Sequence, residues 1–369
     1  MNQNKNYAVL MLLLALGATV FTRQAAAEDA AALPAQVAIT GANVRTRGRF
    51  DLRDAAGPRC QWSASAITLR FQGTDANAKI RDSNNDILEI VIDGKPASVL
   101  ALQKDEHLYR IANGLTNAAH TVTLFKRTEA FVGIVQYEGF QLNAGGKMLT
   151  PPAPPKHRLE VIGDSISCGY GNEGANQNEH FTPATENAYL TYGAMAARKF
   201  NADYMCVAWS GKKMWPDNAI PELYDRALPT DPSSAWDFSR QIPNAVLINL
   251  ATNDFGRENP DEKGWTDAYK AFVVRVRKNY PKAHIYCAAG SMMNDSYPAG
   301  HHALSTLRAY LIKIVADERA GGDANISFLE FAPQDGKNGI GADYHPNVKT
   351  HEIMAETLAE ALTRDLKWK

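Results

Sequence analysis

The chain has 369 residues, 45% of them hydrophobic, with 39 basic against 40 acidic side chains and a formal charge of −1. This length and apolar content supply core for two domains, and the near-neutral charge excludes bulk attraction to nucleic acid. Four scattered cysteines, Cys60, Cys168, Cys206 and Cys287, are too few for a disulfide framework and form no C-x-x-C metal pair.

The first element is a basic residue, Lys5, followed by an apolar run from Ala8 to Phe21 and by Ala25-Ala26-Ala27 ahead of Glu28-Asp29. This order matches a secretory signal, so residues 1–27 are expected to be cleaved near Ala27 and the protein exported to the periplasm or the medium. A membrane-spanning helix needs about 20 apolar residues, and no later stretch approaches that, so no membrane association is expected. Loss of Lys5 and Arg23 lowers the formal charge by two, to −3.

From Val37 to Leu149 apolar residues alternate, as in Ile67-Thr68-Leu69-Arg70-Phe71, Ile90-Val91-Ile92, Leu108-Tyr109-Arg110-Ile111, Val122-Thr123-Leu124 and Ile134 to Leu142. Period-two runs separated by turn residues predict antiparallel sheet, and residues 28–149 are expected to form an all-β sandwich or jelly roll. Thr150-Pro151-Pro152-Ala153-Pro154-Pro155 interrupts the pattern, because successive prolines donate no backbone hydrogen bonds and stiffen the chain. Residues 150–156 are therefore expected to be a linker.

In residues 157–369 the period changes. Trp265, Tyr269, Phe272, Val273, Val276 and Tyr280 recur at helical spacing, as do Leu304, Leu307, Leu311, Ile314 and Val315. Between them lie apolar runs of strand length, Leu159 to Ile162, Tyr204 to Ala208, Ala245 to Leu250, Ile285 to Ala288 and Ile326 to Phe331. Alternating strands and helices predict an α/β domain with a doubly wound parallel sheet, whose working residues sit beyond the carboxyl ends of the strands.

Four such strand ends carry chemistry. Gly163-Asp164-Ser165 places a serine hydroxyl on a strand-to-helix turn, where it is either a nucleophile or a helix cap. Asp343-Tyr344-His345 supplies a base with a carboxylate two residues before it, able to orient the ring. Asn347 is placed to cap the last helix, whose Ile353, Met354, Leu358, Leu362 and Leu366 are expected to face the core; His351 within it is a poorer base. Ala208-Trp209-Ser210-Gly211 and Leu250-Ala251-Thr252-Asn253-Asp254 offer a glycine N–H and a side-chain amide to a developing oxyanion, or else a turn and a cap. Asp254 is expected to be a cap and Asp164 to be structural.

The four blocks resemble those of the SGNH, or GDSL-type, hydrolases. Gly163 to Gly171, Thr252-Asn253-Asp254-Phe255 and Asp343 to Asn347 look like the family 2 carbohydrate acetylesterases in particular. The resemblance implies an N-terminal jelly roll and a flavodoxin-like three-layer catalytic domain. It also implies Ser165 as nucleophile, His345 as base, and Ser165 N–H, Gly211 and Asn253 as oxyanion donors. The implied substrate is an acetylated plant cell-wall polysaccharide such as xylan or glucomannan, with no metal and no cofactor. The acid and base are more often spaced D-x-x-H, so the orienter of His345 is either the Asp343 side chain or, as in a Ser-His dyad, a backbone carbonyl, with Tyr344 C=O the candidate. Ala251 stands where glycine is common, which a single methyl group should tolerate.

Trp215 and Trp209, with Trp236 and Tyr297, are candidates for stacking on sugar rings, packing being the alternative. Two rival functions stay open: a lipase-like or thioesterase-like hydrolase of other esters, and a non-catalytic carbohydrate-binding protein. Oligomeric state has no sequence signal.

Overall fold

The computed structural model describes residues 35–369, so the expected signal segment, residues 1–27, lies outside the described residues. Residues 35–149 hold β1 (Ala35–Val37), β2 (Val44–Arg47), β3 (Phe50–Asp51), β4 (Arg59–Cys60), β5 (Ala66–Gly73), β6 (Ala76–Asp82), β7 (Ile87–Ile92), β8 (Lys95–Ala101), β9 (Asp105–Ala112), β10 (Ala118–Lys126), β11 (Val135–Leu142) and β12 (Lys147–Leu149). They form two antiparallel sheets, β3-β4-β11-β6-β9 with β1 on β11, and β12-β5-β10-β7-β8 with β2 on β5. The sheets close over one core that includes Phe50, Ile67, Leu69, Phe71, Ile80, Leu88, Leu124, Tyr137 and Phe140. This is an all-β, jelly-roll type of domain. Alternation made β5 and β10 legible; β8 was not, because it is an edge strand with almost every side chain in water.

Pro151 to Pro155 adopt no regular structure. Beyond them come β13 (Arg158–Gly163), α1 (Ser165–Cys168), α2 (Tyr192–Lys199), β14 (Asp203–Ala208), β15 (Ala245–Asn249), α3 (Glu262–Asn279), β16 (His284–Ala289), α4 (Ala303–Ala320), β17 (Ile326–Glu330) and α5 (Val348–Leu366). The strands form one parallel sheet in the order β14-β13-β15-β16-β17. Residues of α2 and α5, among them Tyr192, Met354 and Leu358, pack on one face, and Trp265, Phe272, Leu307 and Leu311 of α3 and α4 belong to the core on the other. The sheet is doubly wound. The order reverses around β13, and in such sheets loops beyond the strands on either side of the reversal form the ligand crevice.

Helix α5 departs from expectation at one position, since Ile353 is 40% exposed while His351 is fully buried. The all-β layers pack directly on the α/β domain in one compact unit. Arg45 Nη1 meets Asp203 Oδ1 at 2.9 Å, Trp62 Nε1 donates to Arg226 O at 3.1 Å, and buried Arg49 faces buried Glu160 of β13 at 3.5 Å.

Candidate active site

The turn after β13 is built around a missing side chain. A Cβ on Gly163 would lie 2.1 Å from Ser167 Oγ and 3.1 Å from Asn249 O, so only glycine lets α1 start this close to the sheet. Asp164 is the N-cap, its Oδ1 accepting Ile166 N–H at 3.1 Å, and burial pushes its carboxyl up to about 7. Ser165 is thereby fixed as the first residue of α1. Its own N–H takes part in no hydrogen bond among the described residues.

His345 reaches Ser165 from the loop before α5. Its Nε2 is 2.8 Å from Ser165 Oγ, and its Nδ1 is 3.0 Å from the backbone oxygen of Asp343. A carbonyl can only accept, so Nδ1 carries the proton and Nε2 is left as the acceptor for the serine hydroxyl. Burial is the main force on the ring and lowers its pKa, favouring the neutral imidazole.

The Asp343 carboxylate is therefore not the orienter that the spacing suggested. It accepts from His180 Nδ1 at 2.9 Å, Phe181 N at 2.9 Å and Tyr170 OH at 3.0 Å. The reason is the backbone: Asp343 (φ 48°) and Tyr344 (φ 63°) both lie in the left-handed region, and this turn points the Asp343 carbonyl at the ring and its side chain away. Tyr344 C=O, the other expected orienter, instead accepts Gln334 Nε2 at 2.8 Å. Tyr170 packs beside His345 with ring centroids 4.3 Å apart and the rings tilted by 38°, a contact the sequence did not flag.

Gly211 follows β14 with φ +74°, and the place its side chain would take is open space. Its N–H, too, is unpaired among the described residues. Asn253 follows β15; one amide hydrogen is held by Lys212 O at 2.8 Å, leaving the other available. Asp254 does not cap a helix, because Asp261 does that for α3; it accepts Met214 N–H, Trp215 N–H and Trp265 Nε1–H, tying the two loops together. Ala251 occupies φ +133°, a strained conformation for a residue with a Cβ, so the cost of alanine there is conformational as well as steric.

Gly211 and Asn253 line one cleft of about 580 Å³ together with Trp215. Gly264 in the first turn of α3 makes room for that indole, since a Cβ there would sit 2.7 Å from it. A second cleft of about 580 Å³ is lined by Met292, Tyr297, Ile340 and Tyr344, with Tyr297 67% and Tyr344 61% exposed. Trp209 packs against the core with Lys212 Nζ 4.9 Å from its ring, and Trp236 is buried beside Arg49.

Comparison with known proteins gives this geometry its context. Residues 46–152 match the carbohydrate esterase 2 N-terminal model, and residues 161–353 match the GDSL-like lipase/acylhydrolase family. A structure of a family two carbohydrate esterase from Clostridium thermocellum in complex with cellohexaose is 38% identical with a TM-score of 0.84, covering 88% of this chain and all of that one. The chain belongs to carbohydrate esterase family 2. Its fold and its relatives make it a carboxylic-ester hydrolase. Cellulase/esterase CelE of Acetivibrio thermocellus is 39% identical over 327 residues, 87% of this chain, but the chain spans only 39% of CelE. An acetylxylan esterase / glucomannan deacetylase of Cellvibrio japonicus is 24% identical over 344 residues, 90% of this chain and 91% of that protein.

Proposed function

We propose that this family 2 esterase removes acetyl groups from plant cell-wall polysaccharides such as xylan and glucomannan, through an acyl-enzyme on Ser165. The observation that carries the reading is the 2.8 Å contact between Ser165 Oγ and a His345 whose tautomer is set by a carbonyl. His345 Nε2 takes the hydroxyl proton as Ser165 Oγ attacks the acetyl carbonyl. The N–H groups of Ser165 and Gly211 and the Asn253 amide stabilise the tetrahedral oxyanion. His345 then returns the proton to the departing sugar hydroxyl, and water, deprotonated in the same way, releases acetate. The clefts beside Trp215 and beside Tyr297 and Tyr344 are where sugar rings would lie. The substrate class rests on the names of the relatives, acetylxylan esterase / glucomannan deacetylase and a cellohexaose-bound esterase. Export follows from residues 1–27, whose basic, apolar and small-residue order supports a cleaved signal.

The test is acetate release by the protein lacking residues 1–27 from acetylated xylan and acetylated glucomannan, beside Ser165→Ala and a long-chain ester control. Release that disappears in the variant is the expected result. Cleavage of long-chain esters without acetate release would instead favour a lipase-like enzyme, and sugar binding without turnover a binding protein.

A further inference from the structure

The loop between β10 and β11 leaves the all-β domain and enters the α/β domain. Arg127 O in it accepts Ala188 N–H at 2.9 Å. Two residues on, Glu129 is fully buried, with its Oε2 accepting Ser210 N–H at 2.7 Å and its Oε1 accepting the Ser210 hydroxyl. Cys168 Sγ lies 3.7 Å from Oε2. One carboxylate from outside the α/β domain therefore touches both the turn that carries Gly211 and the short helix that Ser165 begins.

The main chain of Glu129 is itself held from both sides. Lys126 Nζ donates to Glu129 O at 3.1 Å while pairing with Asp86 at 2.6 Å, and Glu129 N–H donates to Glu186 Oε2 at 2.9 Å. Glu186 is also buried, and its Oε1 has no partner. Two such carboxyls cannot both ionise without water. Burial raises the Glu129 carboxyl too, but the Ser210 hydroxyl and N–H directed at it oppose that shift, so it is the member that ionises more readily. Glu186, pushed well up by burial and then by the Glu129 charge, holds the proton.

A buried carboxylate is costly to desolvate. What it does is hold the Ser210 N–H, one peptide before Gly211, whose left-handed φ leaves open space on its Cβ side and whose own N–H is unpaired among the described residues. We propose that Glu129 is a positioning residue for the oxyanion hole, by which the all-β domain holds the Gly211 N–H in line with the developing charge. This rests on the acyl-enzyme reading above.

The test uses the full chain and the variants Glu129→Ala, Glu129→Gln, Ser210→Ala and Ser165→Ala. Each is assayed for kcat and KM on an aryl acetate, for affinity to a boronic acid that forms a tetrahedral adduct with Ser165, and for thermal midpoint. Loss of one oxyanion donor lowers kcat about 10²–10³-fold. Folded Glu129→Ala should lose kcat on the order of that range, with KM within about threefold, and lose boronate affinity by a like factor. Glu129→Gln, which keeps one acceptor, should recover part of the loss, and Ser210→Ala, which keeps the N–H contact, should lose less than Glu129→Ala. If Glu129→Ala does not fold, unchanged kcat and boronate affinity in folded Glu129→Gln and Ser210→Ala overturn the proposal, as does wild-type kcat in folded Glu129→Ala. Turnover surviving in Ser165→Ala would sink the acyl-enzyme reading itself, an outcome separate from any result at Glu129.

Discussion

His345 Nδ1 is bonded to the main chain of Asp343, at 3.0 Å, and not to its carboxylate. The pair thus works through the shape of a turn, with two successive left-handed residues standing in for a buried acid. The Asp343 side chain serves the next layer, tying Tyr170, His180 and Phe181 to the loop.

Asparagine at position 343 should therefore be mild, and it suits the turn because Asn tolerates left-handed φ. Loss of a true triad acid costs about 10⁴ in kcat. Asp343→Asn is expected to lose no more than about tenfold, against about 10⁴-fold or more for His345→Ala. Steady-state kinetics on an aryl acetate decides; a loss near 10⁴ in Asp343→Asn would mean that the carboxylate acts on the ring.

Burial lowers the pKa of His345 from 6.5, so the neutral, proton-accepting ring persists into more acidic solution. The acid limb of the kcat/KM profile should fall with a midpoint below about 6.5. His351, fully buried and accepting Tyr192 N–H on Nδ1, is depressed further, to about 3. The unfolded chain binds protons at these two histidines that the native one refuses, so their contribution to stability is lost as pH falls from about 6.5 towards 3, against the opposite contribution of Asp164, whose carboxyl is raised to about 7 in the fold. Replacing His351 with Gln should flatten that slope in urea titrations. A stability difference between wild type and His351→Gln that does not change with pH across the window would contradict it.

How much of this was readable beforehand follows from sequence distance. Ser165 and His345 each carry a local signature, an apolar strand into a Gly-Asp-Ser turn and a His-Pro-Asn start to a helix, and the structure puts them in contact. The paired orienter was not readable, because two residues of spacing do not reveal a left-handed turn at Asp343 and Tyr344. Glu129 had no signal either: its partners Ser210 and Glu186 lie in another domain, and an acid in a loop looks like solvent-exposed charge. Helix α2 has only eight residues, half of them Gly or Ala, so its buried face, Tyr192, Ala194, Ala196 and Ala197, carries little apolar bulk to read in the sequence, and it packs with α5 in one core. Trp236 was a candidate sugar platform because aromaticity does not encode which side of a loop faces water, and it is buried; Trp209 is half-buried.

Arg49 crosses from the all-β domain into the interior behind β13. Its guanidinium donates to Tyr224 O and sits 3.5 Å from Glu160, which also accepts Tyr224 OH at 2.7 Å and Tyr280 OH at 3.2 Å. Removing only the cation leaves Glu160 charged in a dry site. Arg49→Ala should destabilise the fold by about 3–5 kcal/mol, read as a shift in the urea midpoint at unchanged m-value. Loss of less than about 1 kcal/mol would place this pair among those that contribute little, as exposed pairs do.

Ala251 offers the opposite case, a residue whose replacement should help. It is buried two residues past the end of β15, with φ +133°, where an L side chain is strained and glycine is not. Such strain costs on the order of 1–3 kcal/mol, and the extra freedom of glycine in the unfolded chain offsets about 0.4–1 kcal/mol of any relief. Ala251→Gly should accordingly raise stability by about 1 kcal/mol, and leave KM unchanged, because the loop to Asn253 is still tied by Asp254 to Met214, Trp215 and Trp265. Paired thermal melts and acetate-release assays check both halves. A lower melting temperature would show that the methyl group's packing outweighs the backbone strain, and so that alanine belongs at this position for its contacts.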